Sequence, residues 1–365
     1  MISHHRNPRI KRMPIPTLPG INAETITTPR INTRVLSSGP EDGIPVLFLH
    51  GNLVTGMCWE EVMLDLPAGY RAVAPDQRGY GDSDPEKKID ATRGLGDLAD
   101  DAVALLEHFG IGRAHIVGHS LGGSVVWRLL MDYPERFLSA TQVTPTSPHG
   151  FNGTRDAAGT PCHADFAGSG GGFMDPEVVR CLEAGDRGMD NPFSPRAMLR
   201  TLIVKPPFVP KREEELVSAF LSTHLGERDY PGDAVPSPNW PYRSPGKWGP
   251  LNALSPKYAP DMERLHAAEP KTSILWVRGS HDMIISNNSV FDPATAGAQG
   301  LWPDWPGPDI YPPQPMDDQI RIVLEEYAAA GGSYREVTLR DAGHFPYLEQ
   351  PSAFNEAFHS HIGRS

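Results

Sequence analysis

The sequence is short of cysteine, of basic residues and of long apolar runs. Its three cysteines, Cys58, Cys162 and Cys181, are odd in number and lack metal-ligand spacing, so we expect reduced thiols in a cytoplasmic protein. Lys and Arg total 33 against 45 Asp and Glu, a formal net charge of −12, which argues against a nucleic-acid partner. No apolar run approaches the roughly 18 residues of a membrane span, and the N-terminus lacks the apolar segment of a signal peptide.

Proline, by contrast, is abundant and unevenly placed. The chain holds 38 prolines, about twice the average usage, and they concentrate in residues 192–260 and 293–315. Elsewhere, short apolar runs such as residues 46–49 alternate with segments of helical periodicity such as residues 92–109. This alternation predicts an α/β fold, with a mostly parallel sheet and helices on both faces.

The places where the alternation stops define the predicted domain organisation. Residues 1–20 are predicted to be an extended N-terminal arm, and residues 21–145 and 271–365 to be the α/β core. Residues 146–270 form a large cap or lid (the cap segment), and residues 286–315 form a second insertion rich in Pro and Trp. Both insertions leave from the carboxyl ends of predicted strands, where open α/β sheets bind ligands. We therefore expect them to cover a site at that edge.

The pentapeptide Gly118-His119-Ser120-Leu121-Gly122 stands between a predicted buried strand and a predicted helix. A sharp turn between them would place Ser120 Oγ at the carboxyl edge of the sheet, facing the positive end of the helix dipole. The two glycines lack Cβ atoms, so the strand and the helix can approach closely. Five residues recur by chance, but the strand and helix around them favour a serine nucleophile.

A serine hydroxyl needs a base within hydrogen-bond reach and a third group that orients this base. Asp282 and His344 each stand in a loop directly after a predicted apolar strand. A parallel sheet would bring both loops to the edge that carries Ser120, and the chain order Ser, Asp, His is one of the known orders for such sets. The competing acids are Asp76, Asp82, Asp84 and Asp341.

Five motifs in this order resemble the α/β-hydrolase superfamily, in its cap-bearing branch. They are His50-Gly51-Asn52, Asp76-Gln77-Arg78-Gly79-Tyr80-Gly81-Asp82-Ser83, Gly118-His119-Ser120-Leu121-Gly122-Gly123, Gly279-Ser280-His281-Asp282 and Gly343-His344-Phe345-Pro346-Tyr347-Leu348-Glu349-Gln350-Pro351. The resemblance covers residues 24–145 and 272–363, and the lid between them does not identify a subfamily.

This resemblance implies a serine-hydrolase mechanism without a cofactor or a metal. Ser120 would be the nucleophile, His344 the general base and then acid, and Asp282 the group that orients the imidazole. The oxyanion hole would consist of the backbone N–H groups of Asn52 and Leu121, each typically worth about 3 kcal/mol in the transition state. The His-Gly-Asn motif is also similar to haloalkane dehalogenases. These enzymes and the epoxide hydrolases use an aspartate where Ser120 stands, so their mechanism is excluded.

The substrate pocket is less well defined by the sequence. We single out His149, Met283, Trp302 and Phe345 as candidate substrate contacts. Ten aromatic side chains of the insertions are too many for surface positions, and three or four of them are expected to line an apolar pocket. The ten are Phe166, Phe173, Phe193, Phe208, Trp240, Tyr242, Trp248, Trp302, Trp305 and Tyr311. The glycine-rich residues 168–172 are interpreted either as a mobile hinge or as a tip without a role.

Three functions remain open at this point. The favoured one is hydrolysis of a small carboxylic ester or lactone with an apolar or aromatic body, through an acyl-serine intermediate. The second is a C–C bond hydrolase, perhydrolase or haloperoxidase that uses the same triad. The third is a receptor-like binding protein with low turnover, suggested by the heavy insertions. The sequence leaves the oligomeric state open.

Overall fold

The computed structural model describes residues 15–364. Residues 1–14, which make up most of the predicted N-terminal arm, lie outside the described residues, as does Ser365. Residues 15–20 form no helix or strand and lead into the first strand. Within the described range no helix is long and apolar enough to cross a membrane. All three cysteines fall in this range as free thiols.

An eight-stranded sheet forms the centre of the described chain. Its strands are β1 (Asn22–Thr27), β2 (Asn32–Ser38), β3 (Ile44–Leu49), β4 (Tyr70–Pro75), β5 (Ala114–His119), β6 (Phe137–Val143), β7 (Ser273–Gly279) and β8 (Tyr334–Leu339). The spatial order is β1-β2-β4-β3-β5-β6-β7-β8. β2 is antiparallel to both β1 and β4, whereas the other neighbouring pairs are parallel. The predicted α/β class with a mostly parallel sheet is therefore confirmed.

Helices cover the sheet and fill the long connections. They are α1 (Glu60–Leu64), α2 (Gly96–His108), α3 (Leu121–Asp132), α4 (Pro176–Ala184), α5 (Pro195–Met198), α6 (Glu213–Leu221), α7 (Pro250–Ala253), α8 (Glu263–Ala267), α9 (Pro293–Ala298), α10 (Met316–Ala329), α11 (Pro346–Glu349) and α12 (Pro351–Ile362). α3 packs on β5 and β6, and α12 packs on β6, β7 and β8. All six residues of β5 are buried, as expected for a strand that is covered on both faces.

The connection between β6 and β7 holds α4 to α8 with little sheet. It contains a π-helical turn at Leu199–Ile203 and two short ladders, one joining Leu225–Gly226 to Tyr230–Pro231 and one joining Ala234–Pro236 to Arg243–Pro245. Apolar side chains of α6 and α7 belong to the same buried cluster as the sheet. Trp240, Ala294 and Tyr311 form a second, smaller cluster, so the two insertions also pack against each other.

The glycine-rich stretch 168–172 is packed rather than free. Ser169 is only 1% exposed, and its hydroxyl bonds with that of Ser255 at 2.7 Å. The amide of Gly171 donates to Asn252 Oδ1 at 2.9 Å. A Cβ on Gly170 would lie 2.3 Å from the same oxygen. This stretch is therefore part of the packed fold and not a disordered tip, because glycine permits the close approach of the Asn252 side chain. A role as a hinge stays a prediction.

Two glycines bring α3 close to the sheet, as the sequence predicts. A Cβ on Gly118 would lie 2.4 Å from the carbonyl oxygen of Gly122, and a Cβ on Gly122 would lie 2.3 Å from that of Leu49. Real Cβ atoms do not approach backbone oxygens so closely, so any side chain at either position must push α3 away from β3 and β5.

We expect Gly122→Ala to lower the free energy of unfolding by about 3 kcal/mol, because backbone atoms must move to admit the methyl group. Gly112→Ala is the matched control, since a Cβ there meets nothing within 4 Å, and it should change stability by less than about 1 kcal/mol. Urea unfolding of both variants measures the difference. Equal stabilities would contradict the close-packing argument.

Candidate active site

Ser120 occupies the turn between β5 and α3 in a strained conformation. Its φ of 53° and ψ of −117° lie in a region that a residue with a side chain rarely adopts. The turn is held on both sides, because Ser120 N donates to the carbonyl of Val143 at 3.0 Å and Gly123 N donates to that of Ser120 at 2.9 Å. The serine is 7% exposed, so its hydroxyl is presented from a buried and fixed position.

His344 and Asp282 meet in the loops that follow β8 and β7. His344 Nδ1 lies 2.9 Å from Asp282 Oδ2. The other carboxylate oxygen accepts from the amides of Ile284 at 2.8 Å and Ile285 at 3.0 Å, which fixes its orientation. Because a carboxylate only accepts hydrogen bonds, this contact places the imidazole proton on Nδ1. Nε2 of His344 is then left as a proton acceptor.

Ser120 and His344 line the same cavity, which brings together the residues predicted from distant parts of the sequence. The cavity contains about 790 Å³ of space, counting its open mouth. Its lining is Asn52, Leu53, His119, Ser120, Thr146, Phe151, Met174, Val178, Met198, Ile203, Phe220, Tyr230, Leu251, Leu254, Ile284, Ile285, Phe291, His344 and Phe345. Apolar side chains dominate this set, and no Lys, Arg, Asp or Glu belongs to it.

The two predicted oxyanion donors lie on either side of Ser120. Leu121 is the first residue of α3, so its N–H has no carbonyl acceptor within the helix. Asn52 follows β3, in a loop so close to Ser120 that a Cβ on Gly51 would lie 3.1 Å from Ser120 Cβ. Asn52 Oδ1 accepts from the hydroxyl of Tyr80 at 2.7 Å, which fixes this side chain against the loop after β4.

His50 holds the Asn52 loop in place and is neutral. Its Nε2 accepts from the amide of Gln77 at 2.8 Å, and Gln77 Nε2 donates to the His50 carbonyl at 2.6 Å. Nδ1 is therefore the protonated nitrogen and donates to the Gly51 carbonyl at 2.8 Å. Burial lowers the pKa of His50 to about 4, against a smaller opposing effect of the Gly51 hydrogen bond.

His119, next to Ser120, holds the predicted base His344 in place rather than competing with it. Its Nε2 donates to the backbone carbonyl of His344 at 2.9 Å, and Thr144 Oγ1 donates to the same carbonyl at 3.1 Å. Burial holds the pKa of His119 well below its ordinary value, and the nearby His344 lowers it further. His119 therefore stays neutral and fixes the backbone that carries the base.

Glu349 ties the His344 loop to the cap segment. One of its carboxylate oxygens accepts from the amides of Gly343 at 2.9 Å and Lys205 at 2.7 Å. The other accepts from the amide of Phe345 at 3.2 Å. Burial raises the pKa of Glu349, and the three amides oppose this shift. Glu349 is not among the predicted site residues, although it lies within the His344 motif.

Of the four candidate substrate contacts, only Phe345 lines the cavity. Met283 is 37% exposed, and the next two residues, Ile284 and Ile285, line the cavity instead of it. Trp302 packs on Trp240 with ring centroids 6.1 Å apart. The His149 ring packs against Gly159, so closely that a Cβ on this glycine would lie 2.4 Å from the ring carbon Cγ of His149. These three predictions are therefore wrong for this cavity.

The aromatic prediction is also wrong in its details. None of the ten aromatic residues singled out from the insertions belongs to the described lining. The aromatic lining consists instead of Phe151, Phe220, Tyr230, Phe291 and Phe345, besides the histidines. Phe220 lies on α6 and could have been found from the helical pattern there. The others stand in irregular segments that give no periodic signal.

Comparison with known proteins agrees with this architecture. A family model described as the alpha/beta hydrolase fold matches residues 44–161. The crystal structure of the carboxylesterase CesB (YbfK) from Bacillus subtilis superposes with a TM-score of 0.59, covering 94% of this chain and 92% of that one at 17% identity. The chain therefore has the α/β-hydrolase fold.

Curated relatives match only part of this chain, and the chain spans less than half of the length of two of them. The AB hydrolase superfamily protein YfhM of Bacillus subtilis is 35% identical over 131 residues, which are 36% of this chain and 46% of that protein. Epoxide hydrolase 2 of Siraitia grosvenorii is 39% identical over 120 residues, which are 32% of this chain and 36% of that protein. The matched part is thus less than half the length of either relative.

The described residues contain no group of three or more His, Cys, Asp and Glu side chains arranged to hold a metal ion. The arrangement that they do contain is a hydroxyl, an oriented imidazole and a carboxylate beside an apolar cavity.

The low pKa of His50 predicts a loss of stability in acid. The unfolded chain binds a proton at His50 below pH 6.5, whereas the folded chain does so only near pH 4, so folding weakens as the pH falls between these values. In His50→Gln the difference in unfolding free energy between pH 7.5 and pH 4.5 should shrink by about 2 kcal/mol. Urea unfolding at both pH values tests this, and an unchanged difference would refute it.

Glu349→Gln should destabilise the His344 loop. The amide side chain has one acceptor oxygen, so its NH2 group must face at least one backbone N–H. We expect the free energy of unfolding to fall by about 2 kcal/mol. Glu356→Gln, which makes the same change at an exposed position on α12, is the control and should be neutral. If Glu349→Gln left the free energy of unfolding unchanged, the three hydrogen bonds of Glu349 would not be what holds the His344 loop.

Proposed function

We propose that this protein is a serine hydrolase that cleaves a neutral carboxylic ester or lactone with an apolar or aromatic body. The observation that carries the proposal is the Asp282–His344 hydrogen bond, with His344 and Ser120 at the wall of one apolar cavity. A hydroxyl, a base and an orienting carboxylate in this arrangement are the parts of an acyl-transfer mechanism.

The reaction would proceed in two halves. His344 Nε2 takes the proton from Ser120 Oγ as the hydroxyl attacks the carbonyl carbon, and the N–H groups of Leu121 and Asn52 stabilise the oxyanion. The intermediate then collapses, and the imidazolium gives its proton to the leaving alcohol. Water, activated by the same imidazole, attacks the acyl-serine and releases the acid. Asp282 stays ionised and stabilises the imidazolium in both halves.

We propose that the cap segment, residues 146–270, supplies most of the substrate contacts. Ten of the 19 lining residues belong to it. Because the lining carries no Lys or Arg, an anionic substrate would enter without a cationic partner, which costs several kcal/mol for a buried charge. This favours a neutral ester. The second insertion contributes only Phe291 to the described lining.

The similarity to epoxide hydrolase 2 does not change the proposed chemistry. As the superfamily resemblance implies, epoxide hydrolysis uses an aspartate where Ser120 stands. A serine cannot form the same ester-linked intermediate, because its attack on an epoxide would leave a stable ether. The carboxylesterase CesB, with the same fold over 94% of the chain, is consistent with ester cleavage.

The nucleophile can be tested directly. Ser120→Ala should abolish labelling by a fluorophosphonate and lower kcat for p-nitrophenyl esters by at least about 10⁴-fold. Ser124→Ala, one turn along α3, is the matched control and should label like wild type. Wild type that labels no better than Ser120→Ala would refute the proposal.

A substrate screen separates the remaining functions. Steady turnover of aryl esters or lactones, many cycles per site, supports the proposed function. Preference for vinylogous diketones or peroxide-dependent activity would favour the C–C hydrolase or perhydrolase alternative. Labelling without turnover would favour the receptor-like alternative.

A further inference from the structure

Tyr230 is a buried phenol in the cavity wall that the proposed mechanism does not use. It comes from the cap segment, in the ladder that joins Leu225–Gly226 to Tyr230–Pro231. The residue is 1% exposed and lines the same cavity as Ser120 and Asn52. Within residues 15–364 its hydroxyl makes no hydrogen bond of normal geometry. A buried donor without a partner is costly, unless a ligand supplies the acceptor.

The neighbours of this hydroxyl place it on the oxyanion side of the cavity. Burial raises the pKa of Tyr230, and a weaker hydrogen bond from the Asn52 side chain to the phenol oxygen lowers it by less. The phenol is therefore neutral at physiological pH, and its own proton is left without an acceptor within the described residues. Asn52 Oδ1 already accepts from Tyr80 at 2.7 Å. Asn52 thus links the Tyr230 hydroxyl to the loop whose backbone lies against Ser120.

The other polar groups of the cavity already have partners or roles. The Thr146 hydroxyl pairs with that of Ser124, and His119 Nε2 donates to the His344 carbonyl at 2.9 Å. Ser120 and His344 belong to the proposed triad. His119 Nδ1 has no partner within the described residues either, but it is the unprotonated ring nitrogen and can only accept a hydrogen bond. The Tyr230 hydroxyl is therefore a donor of the described lining that is left to contact a substrate oxygen.

We propose that Tyr230 is a catalytic residue whose hydroxyl donates to the substrate carbonyl oxygen as it becomes an oxyanion. It would be a third donor, supplied by the cap segment, beside the N–H groups of Leu121 and Asn52. This role rests on the proposed acyl-serine function. It also means that the oxyanion hole is complete only when the cap segment is in place over the cavity.

Tyr230→Phe removes the hydroxyl and keeps the ring, so the cavity wall is preserved. We expect kcat for p-nitrophenyl butyrate to fall about 100-fold, as for loss of one oxyanion donor, with KM changed by less than about threefold. Tyr311→Phe is the matched control. This tyrosine is also buried, but its hydroxyl donates to the Ala167 carbonyl at 3.2 Å, outside the cavity lining, so its kcat should stay within about threefold of wild type.

Two inhibitors can show, without measuring turnover, whether Tyr230 donates a hydrogen bond to the oxyanion or only forms part of the cavity wall. An aryl trifluoromethyl ketone adds to the serine and forms an oxyanion, whereas the matched methyl ketone binds largely without adding. Tyr230→Phe should weaken the fluorinated ketone about 100-fold and the methyl ketone by less than about threefold. Circular dichroism and thermal unfolding establish that the variant is folded.

The outcomes distinguish this inference from the proposed function. Wild type without Ser120-dependent esterase activity or labelling would overturn both. The role of Tyr230 alone would be overturned if wild type is active but Tyr230→Phe keeps its kcat or changes only in KM. Equal losses of affinity for the two ketones would overturn it as well.

Discussion

The whole site depends on one close approach, that of α3 to the ends of β3 and β5. Gly118 and Gly122 permit it, since a methyl group at either position would meet a backbone oxygen at 2.4 Å or less. With helix and strands this close, Ser120 must turn through the left-handed region and expose its hydroxyl. The same approach brings the loop after β3 against Ser120. The positions of the proposed nucleophile and of both proposed oxyanion donors therefore follow from a single packing constraint.

His344, the proposed base, is positioned by a different set of contacts, which involves the cap segment. The His344 amide donates to the Ile203 carbonyl at 2.7 Å, and Glu349 joins the Lys205 amide to that of Gly343. Ile203 itself lines the cavity. The strip of the cap segment at residues 203–205 is thus hydrogen-bonded to the loop that carries the base. If the cap segment moves during substrate entry, residues 203–205 must stay fixed for His344 to keep its position. Only the rest of the cap segment would then be free to move.

The sequence pattern predicted the position of a site residue where that residue stands directly after a predicted strand. Ser120, Asp282 and His344 each come after an apolar run, and parallel strands must end at a common edge, so their convergence could be anticipated. Most of the lining could not, because residues 144–272 are largely irregular, and outside short helices such as α6 no periodic pattern indicates which side chain faces inward. Trp240 and Tyr311 pack on each other instead of on substrate. Aromatic content alone cannot distinguish a cluster between two insertions from a pocket wall.

The electrostatics of the cavity follow from its apolar lining. His50 and His119 are held neutral by burial, and no charged Lys, Arg, Asp or Glu side chain reaches the described wall. In the proposed reaction, charge would therefore develop in this space chiefly on the substrate oxygen and on His344. Because the surroundings screen poorly, each oriented N–H or O–H at that oxygen acts more strongly than it would in water. An apolar wall with a few fixed donors selects against substrates that carry a charge before they react, and it stabilises the charge that the reaction creates.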